Sequence, residues 1–332
     1  MRYATYYKSR LSGEEKKVYD AVCKGIANFE TNITAPSIEK KRIRIVVFSV
    51  IYDNPEFFHV NFRHYSYIHT SERTEVILSY KMSREEYEET LDKARQKVKS
   101  ICRGILSVSN RNRALEAHDW LVENVVYRDV EYFFDSQYTM PGALLYGECV
   151  CEGYSMAYKY ILDYLKIHCT IVCGDAFSPR DGSRGPHAWN LLVVDGKAYH
   201  TDVTFDHLFA GKYCSRAYFL LSTKDILYDH VVDSLVPVPI CPENGGYLKC
   251  VKKTSELINF LDTESKRNVS HSEVRLSAAF KSDQLMDMIK AWFNSHPEVS
   301  LPRNPQYWFG DYNKTLFIIW QYKYKNTSFQ VQ

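Results

Sequence analysis

The residue types best suited to chemistry fall in one stretch of the chain, in Cys151-Glu-Gly-Tyr, His187-Ala-Trp-Asn and Asp202-Val-Thr-Phe-Asp. A thiol, an imidazole and a carboxylate are the parts of an activated nucleophile: the base takes the thiol proton, and the acid fixes the base's tautomer and stabilises the imidazolium that forms. Cys151 stands where a glycine-containing loop gives way to a helical pattern. The first turn of a helix offers unpaired N–H groups and the positive end of its dipole. Settings of that kind bring a cysteine pKa down from about 8.5 to roughly 3.5–7.5. Asp195-Gly196 is the strongest short hairpin signal in the sequence. A two-residue turn there sets Val194 opposite Lys197, Trp189 opposite Asp202 and His187 opposite Thr204. His187 and Asp202 are then diagonal neighbours on one face, about 7–8 Å apart at the backbone and within reach of a side-chain hydrogen bond.

The elements that must position these groups are legible in outline. Ser12-Gly-Glu-Glu15 is a capping box, followed by Val18, Val22, Ile26 and Phe29 on one face, which predicts a helix over 13–29. The β-branched run 43–52 and the stretches 59–68 and 74–81 predict strands. Ser83-Arg-Glu-Glu86 opens a second helix that ends at Gly104. From about residue 108 the pattern becomes helix, loop, helix and then strands at about 169–174, 187–194 and 197–204. One helix carries Leu115, Leu121 and Val122; the other follows Cys151 with Ala157, Tyr160, Ile161 and Tyr164. Pro237, Pro239, Pro242 and Gly245-Gly246 mark a linker. Beyond it the pattern predicts helix 254–261, strand 272–279, helix 283–294 and a hairpin around Tyr312-Asn-Lys314.

Composition narrows the class. The 332 residues are 45% hydrophobic and 25% charged, ample for a buried core, and 42 Lys and Arg nearly balance 40 Asp and Glu. No block of one sign points to nucleic acid or an acidic membrane surface. The longest apolar stretches fall far short of the ~20 residues a membrane helix needs. The first residues carry no apolar signal core, so a cytoplasmic location is expected, with secretion left open if a leader is missing. Nine scattered cysteines suggest reduced thiols rather than a disulfide scaffold. Cys149, Cys151, His168, Cys169 and Cys173 contain zinc-type ligands, but their spacing matches no common zinc site, and neither metal nor organic cofactor is expected.

Together, the three motifs in this order resemble the core of the transglutaminase-like superfamily, in a multidomain form of bacterial type. The segment His118-Asp-Trp-Leu-Val-Glu-Asn-Val-Val-Tyr127 is similar to the helix that precedes them. The resemblance spans about residues 108–210. It implies an α+β fold with a papain-like catalytic core, acyl transfer through a thioester, and Cys151, His187 and Asp202 as catalytic residues. Cys149 departs from the pattern where glycine is common, and Phe205 where tryptophan is common. The expected organisation is an N-terminal α/β unit over 1–107, the core over 108–236 and a C-terminal α/β unit over 237–332. Tyr146 and Trp189 are candidates for oxyanion or substrate contacts; Trp189 could equally shield the His–Asp pair, and His200 is expected to pack. The thioester could be resolved by water, giving a peptidase or amidase, or by a lysine-like amine, giving a protein-glutamine transglutaminase; hydrolysis is preferred because no amine site is evident. The expected partner is a protein or peptide substrate. The rival from another class is a binding scaffold that keeps the fold and uses its 26 tyrosines to hold a partner.

Overall fold

Ser12 caps the helix Gly13–Ala27 as its capping box predicts, its side chain accepting from Glu15 while Glu15 reaches back to the Ser12 N–H. The computed structural model describes residues 5–129, 135–178, 182–233, 235–267, 269–277, 279–296, 299, 307–310 and 314–320. In chain order its first part comprises α1 (Tyr6–Ser9), α2 (Gly13–Ala27), β1 (Asn32–Pro36), α3 (Lys40–Asp53), β2 (Ser66–His69), β3 (Arg73–Ile77) and α4 (Arg84–Gly104). The strands form an antiparallel sheet in the order β1-β3-β2.

One expectation fails here. The β-branched run 43–52 is not a strand but the body of α3. Ile43, Val46, Val47 and Val50 are buried at helical spacing and join Val18, Val22 and Ile26 of α2 in one apolar cluster. β-branched residues disfavour a helix by only a few tenths of a kcal/mol each, and burying four of them on one stripe outweighs that. The stretch 59–68 is likewise mostly turns and short 3₁₀ helix, with β2 only from Ser66.

The middle of the chain carries α5 (Asn110–Asn124), β4 (Val126–Tyr127), β5 (Glu148–Cys149), α6 (Cys151–Tyr164), β6 (His168–Phe177), β7 (Arg184–Val194), β8 (Lys197–Thr201), α7 (Val203–Ala210), α8 (Thr223–Ile226) and β9 (His230–Val232). Its antiparallel sheet runs β8-β7-β6-β9. The Asp195-Gly196 turn holds the expected register, with Val194 paired to Lys197 and both turn residues at positive φ. The pairing stops at Asn190–Thr201, so the expected strand to 204 is three residues shorter, and Asp202 leaves the sheet as the cap of α7. The last part holds β10 (Cys250–Val251), α9 (Thr254–Glu264), β11 (His271–Leu276), α10 (Ser282–Ser295), β12 (Tyr307–Gly310) and β13 (Thr315–Ile319), in a sheet ordered β10-β11-β13-β12. Tyr312 and Asn313 lie outside the described residues, and the strands on either side of them pair antiparallel. The whole is mixed helix and sheet, an α+β arrangement. Among the described residues no helix is long and apolar enough to cross a membrane.

The α6 helix is buried on nearly every side, packing on α5, β6 and β7. Its interior holds one ion pair: Lys159 Nζ lies 2.9 Å from Asp163 Oδ2 and 3.1 Å from the Cys169 carbonyl oxygen, with both side chains withdrawn from water. Breaking such a pair strands a buried charge, whereas replacing both partners with apolar groups does not. Lys159→Met is therefore expected to destabilise the protein by about 3–5 kcal/mol, and the double variant Lys159→Met/Asp163→Leu to recover most of that loss, both measured by urea unfolding.

Candidate active site

Cys151 is the first residue of α6, with Val150 in extended conformation before it. Gly153, two residues on, explains the glycine of the Cys-X-Gly motif. A Cβ there would come within 2.5 Å of both the Cys149 Cβ and the Gln137 carbonyl oxygen. The fully buried Cys149, unusual for the resembled pattern, thus takes space that Gly153 leaves free. The motif tyrosine anchors the same turn from below, Tyr154 donating its hydroxyl to the Val125 carbonyl at 2.6 Å.

Each residue of His187-Ala-Trp-Asn has a separate task. His187 Nε2 lies 2.6 Å from Asp202 Oδ2, and the Cys151 thiol is within hydrogen-bonding reach of the same imidazole. With Nε2 committed to Asp202, Nδ1 is the nitrogen left to face the sulfur. The Ala188 carbonyl accepts from Ser155 of α6 at 3.0 Å, and Asn190 donates to the Ser155 carbonyl at 3.0 Å. These bonds lock β7 to the helix that carries the thiol. Trp189 stacks alongside His187 with the ring planes 16° apart, is fully buried, and donates its N–H to His200 Nδ1 at 3.1 Å. Trp189 is therefore a shield, and the expected substrate contact is corrected: its one donor is used and no part of it meets solvent. His200 is packed as expected, between Trp189 and the Thr223 hydroxyl, and burial lowers its pKa to about 4.

Tyr146, the other residue expected to contact substrate, lies at the surface. It closes a short π-turn, is 63% exposed, and sits in electrostatic reach of Lys93 on α4, making no bond to Cys151 or His187. The left-handed Gly147 that follows turns the chain before β5 begins, so the ring stays on the outer surface. The cysteine and histidine residues weighed as zinc ligands do not gather either. Among the described residues the sets with potential ligand atoms within 4.8 Å are His118-Asp119-Cys214 and His187-Asp202-His230. Arg216 already occupies Asp119 in the first set, at 2.5 Å. In the second, both histidines lie at hydrogen-bond distance from the Asp202 carboxylate.

Three residues of the site were not anticipated. His230 Nε2 lies 2.9 Å from Asp202 Oδ2, the oxygen that His187 also uses, and His230 Nδ1 lies 2.5 Å from Asp229 Oδ1. Tyr218 donates its hydroxyl to the other Asp229 oxygen at 2.5 Å. An ionised carboxylate only accepts, so an imidazole between two of them donates from both nitrogens and is an imidazolium. Burial works against that charge, and the bonds to Asp202 and Asp229 override it, raising the His230 pKa. The same balance raises that of His187, where burial is opposed by the Asp202 charge and by Cys151. Asp202 is lowered: burial would raise it, but the charge of His187 and the bonds from both histidines prevail. The sequence held one cue to this arrangement. Gly174, paired with His187 across β6 and β7, would place a Cβ 1.9 Å from the Val231 carbonyl oxygen. A glycine inside a strand marks a close backbone approach, and here it admits β9, which brings His230.

A second buried network lies one turn further along α7. Asp206 Oδ2 is 2.9 Å from His118 Nε2, and the Tyr218 N–H donates to Asp206 Oδ1 at 3.0 Å. His118 Nδ1 is 2.9 Å from Asp119 Oδ1. Burial pulls His118 down, and the two carboxylates more than offset it, holding it up at about 9. The α5 helix, which carries His118-Asp-Trp, and the segment ending at Asp206 are thereby joined.

No family model matches the sequence, and no curated protein matches it. Among solved structures it is similar to a TGase (12% identity, TM-score 0.32, covering 55% of this chain and 53% of that one). It is also similar to a protein from Cytophaga hutchinsonii assigned as a cysteine protease (14%, TM-score 0.28, covering 42% of this chain and 61% of that one). A third is a protein from Parabacteroides distasonis assigned as a protease (10%, TM-score 0.25, covering 63% and 39%). The chain spans less than two thirds of the length of each, and at scores this low they carry no chemistry to it.

The imidazolium has a measurable consequence. The folded pKa of His230 lies above its ordinary 6.5, so its contribution to stability is complete below about 6.5 and is lost as pH rises through the folded value. NMR of labelled histidine is expected to show His230 titrating above 6.5. Asp229→Asn should lower its titration midpoint and flatten the pH dependence of stability above 6.5. A His230 titrating at or below 6.5 in the unmodified protein would contradict this assignment.

Proposed function

We propose that the protein is a cysteine-dependent hydrolase acting on an amide bond of a protein or peptide. The observation that carries this is the placement of the Cys151 thiol, on the first residue of a helix, against an imidazole whose other nitrogen is held 2.6 Å from a buried carboxylate. A scaffold has no need for all three groups together, a thiol, an imidazole and the carboxylate that orients it.

In the proposed reaction His187 takes the thiol proton as the Cys151 sulfur bonds to the substrate carbonyl carbon. The oxyanion that forms faces the Cys151 N–H, one of the unpaired donors of the first turn. His187 then gives its proton to the amine nitrogen, the carbon–nitrogen bond breaks, and a thioester remains on Cys151. Water attacks the thioester carbonyl, His187 takes a proton from the water, and carbon–sulfur cleavage releases the acid and restores the thiol. Asp202 keeps the imidazole oriented throughout and balances its charge, while Trp189 and Phe205, the latter with its ring 4.6 Å from the imidazole, keep bulk water from the far side.

Iodoacetamide at neutral pH is expected to modify Cys151 well ahead of the other eight cysteines, and His187→Ala to slow that reaction about tenfold or more. Equal rates at all accessible thiols would sink the enzyme reading. Once a peptide substrate is in hand, Cys151→Ala should abolish turnover, and millimolar primary amine should leave the acid as the dominant product. Efficient incorporation of the amine would instead make the protein a transglutaminase with the same three residues.

A further inference from the structure

We propose that His230 is a positioning residue of the active site: its imidazolium shares one oxygen of Asp202 with His187 and so sets the pH at which the Cys151–His187 pair becomes reactive. The inference rests on Cys151 being the reactive group, and it gives a role to a buried charge that the three-residue reaction leaves unused.

Two N–H donors converge on a single oxygen. His187 Nε2 lies 2.6 Å and His230 Nε2 2.9 Å from Asp202 Oδ2, while Oδ1 is taken by the Phe205 N–H at 3.0 Å. The other His230 nitrogen lies 2.5 Å from Asp229 Oδ1, and the second Asp229 oxygen accepts from the Tyr218 hydroxyl. A neutral imidazole carries one N–H and would set a bare nitrogen against one of these two carboxylates. The ring is fully buried among Trp189, Phe205 and Tyr218, with centroids 4.9, 4.6 and 6.0 Å away. Asp202 and Asp229 therefore balance its charge. The other titratable groups around it do not. Burial holds His200 of β8 neutral, with the His230 charge acting in the same direction. On β6, which pairs with β9, burial pushes the Cys173 thiol up to about 12, and Asp175 is bonded to Arg184 at 2.9 Å.

The His187 and His230 rings stand 5.3 Å apart. A positive charge so close disfavours a second one, on the scale of about one pKa unit or more in a buried site. The proton that must leave before Cys151 can react, whether it sits on the thiol or on His187, therefore leaves more readily beside His230 than beside a neutral group. Asp202 alone would hold that proton on His187. With His230 sharing the oxygen, the carboxylate orients the base without trapping it in its protonated form.

Iodoacetamide tests this without a known substrate. The Cys151 sulfur displaces iodide, giving a thioether that mass spectrometry locates, and the rate is followed as a function of pH. His230→Gln leaves Asp202 an N–H donor but removes the charge, and the rising limb of the profile is expected to move to higher pH by about one unit or more. Should that variant not fold with Asp229 left unpaired, Asp229→Asn/His230→Gln removes both charges together. The limb should still move upward, by less, because Asp229 lies on the far side of the ring from Asp202. A rate lowered by the same factor at every pH would make His230 a packing residue only and overturn the proposal, as would an unmoved limb or a shift to lower pH. A Cys151 no more reactive than the other thiols of the unmodified protein is a different failure, that of the enzyme reading itself.

Discussion

Asp202 is the point through which the rest of the site is held. Its Oδ1 accepts from the Phe205 N–H and so caps α7, its Oδ2 accepts from His187 and His230, and its own N–H donates to the Tyr218 carbonyl. A carboxylate with no exposure to water is costly unless every lone pair is used and an opposite charge lies beside it. Those conditions dictate several features of the fold. Strand β8 must end at Thr201 so that the next residue can turn into a helix, β7 must offer His187 from the neighbouring strand, and β9 must press close enough for His230 to arrive.

The first turn of α7 does the same for a second network. Asp206 stands four residues after Asp202, on the same face of the helix, and binds His118 of α5. From His118 the bonds continue through Asp119 to Arg216, whose N–H in turn donates to Glu273 of β11 at 2.8 Å. The helix preceding the thiol, the strand carrying the imidazole and the C-terminal sheet are therefore tied to two carboxylates one turn apart. In a low-dielectric interior such bonds are strong when complete and costly when broken, so the network favours a single arrangement of these elements.

That rigidity suits the proposed chemistry. A thiol nucleophile needs its base at a fixed distance and in one tautomer, and a base on a short ribbon would wander without support from behind. His187 gets that support from Asp202 on one side and from Phe205 and Trp189 on its faces. The imidazolium of His230 shares the charge of Asp202, so His187 is paired with a carboxylate already partly neutralised. The basicity of His187 is thus a property of four residues rather than of a pair.

The amino-acid sequence alone determined whatever depends on neighbours along the chain. The capping boxes at Ser12 and Ser83, the helix starting at Cys151 and the Asp195-Gly196 turn all follow from local hydrogen-bonding chemistry; the turn's register holds from Val194–Lys197 to Asn190–Thr201, while Asp202 reaches His187 only by leaving the sheet to cap α7. Tertiary structure decided the rest. The run 43–52 has strand composition, yet it coils because α2 offers its buried stripe a partner, a contact no window of sequence contains. His230 lies 28 residues from Asp202, the His118–Asp206 bond spans 88, and Tyr52 meets Glu152 across 100. At those separations no dihedral preference or turn geometry constrains where two side chains meet. Only the packing of helices and strands brings them together, and only their burial gives the resulting bonds their strength.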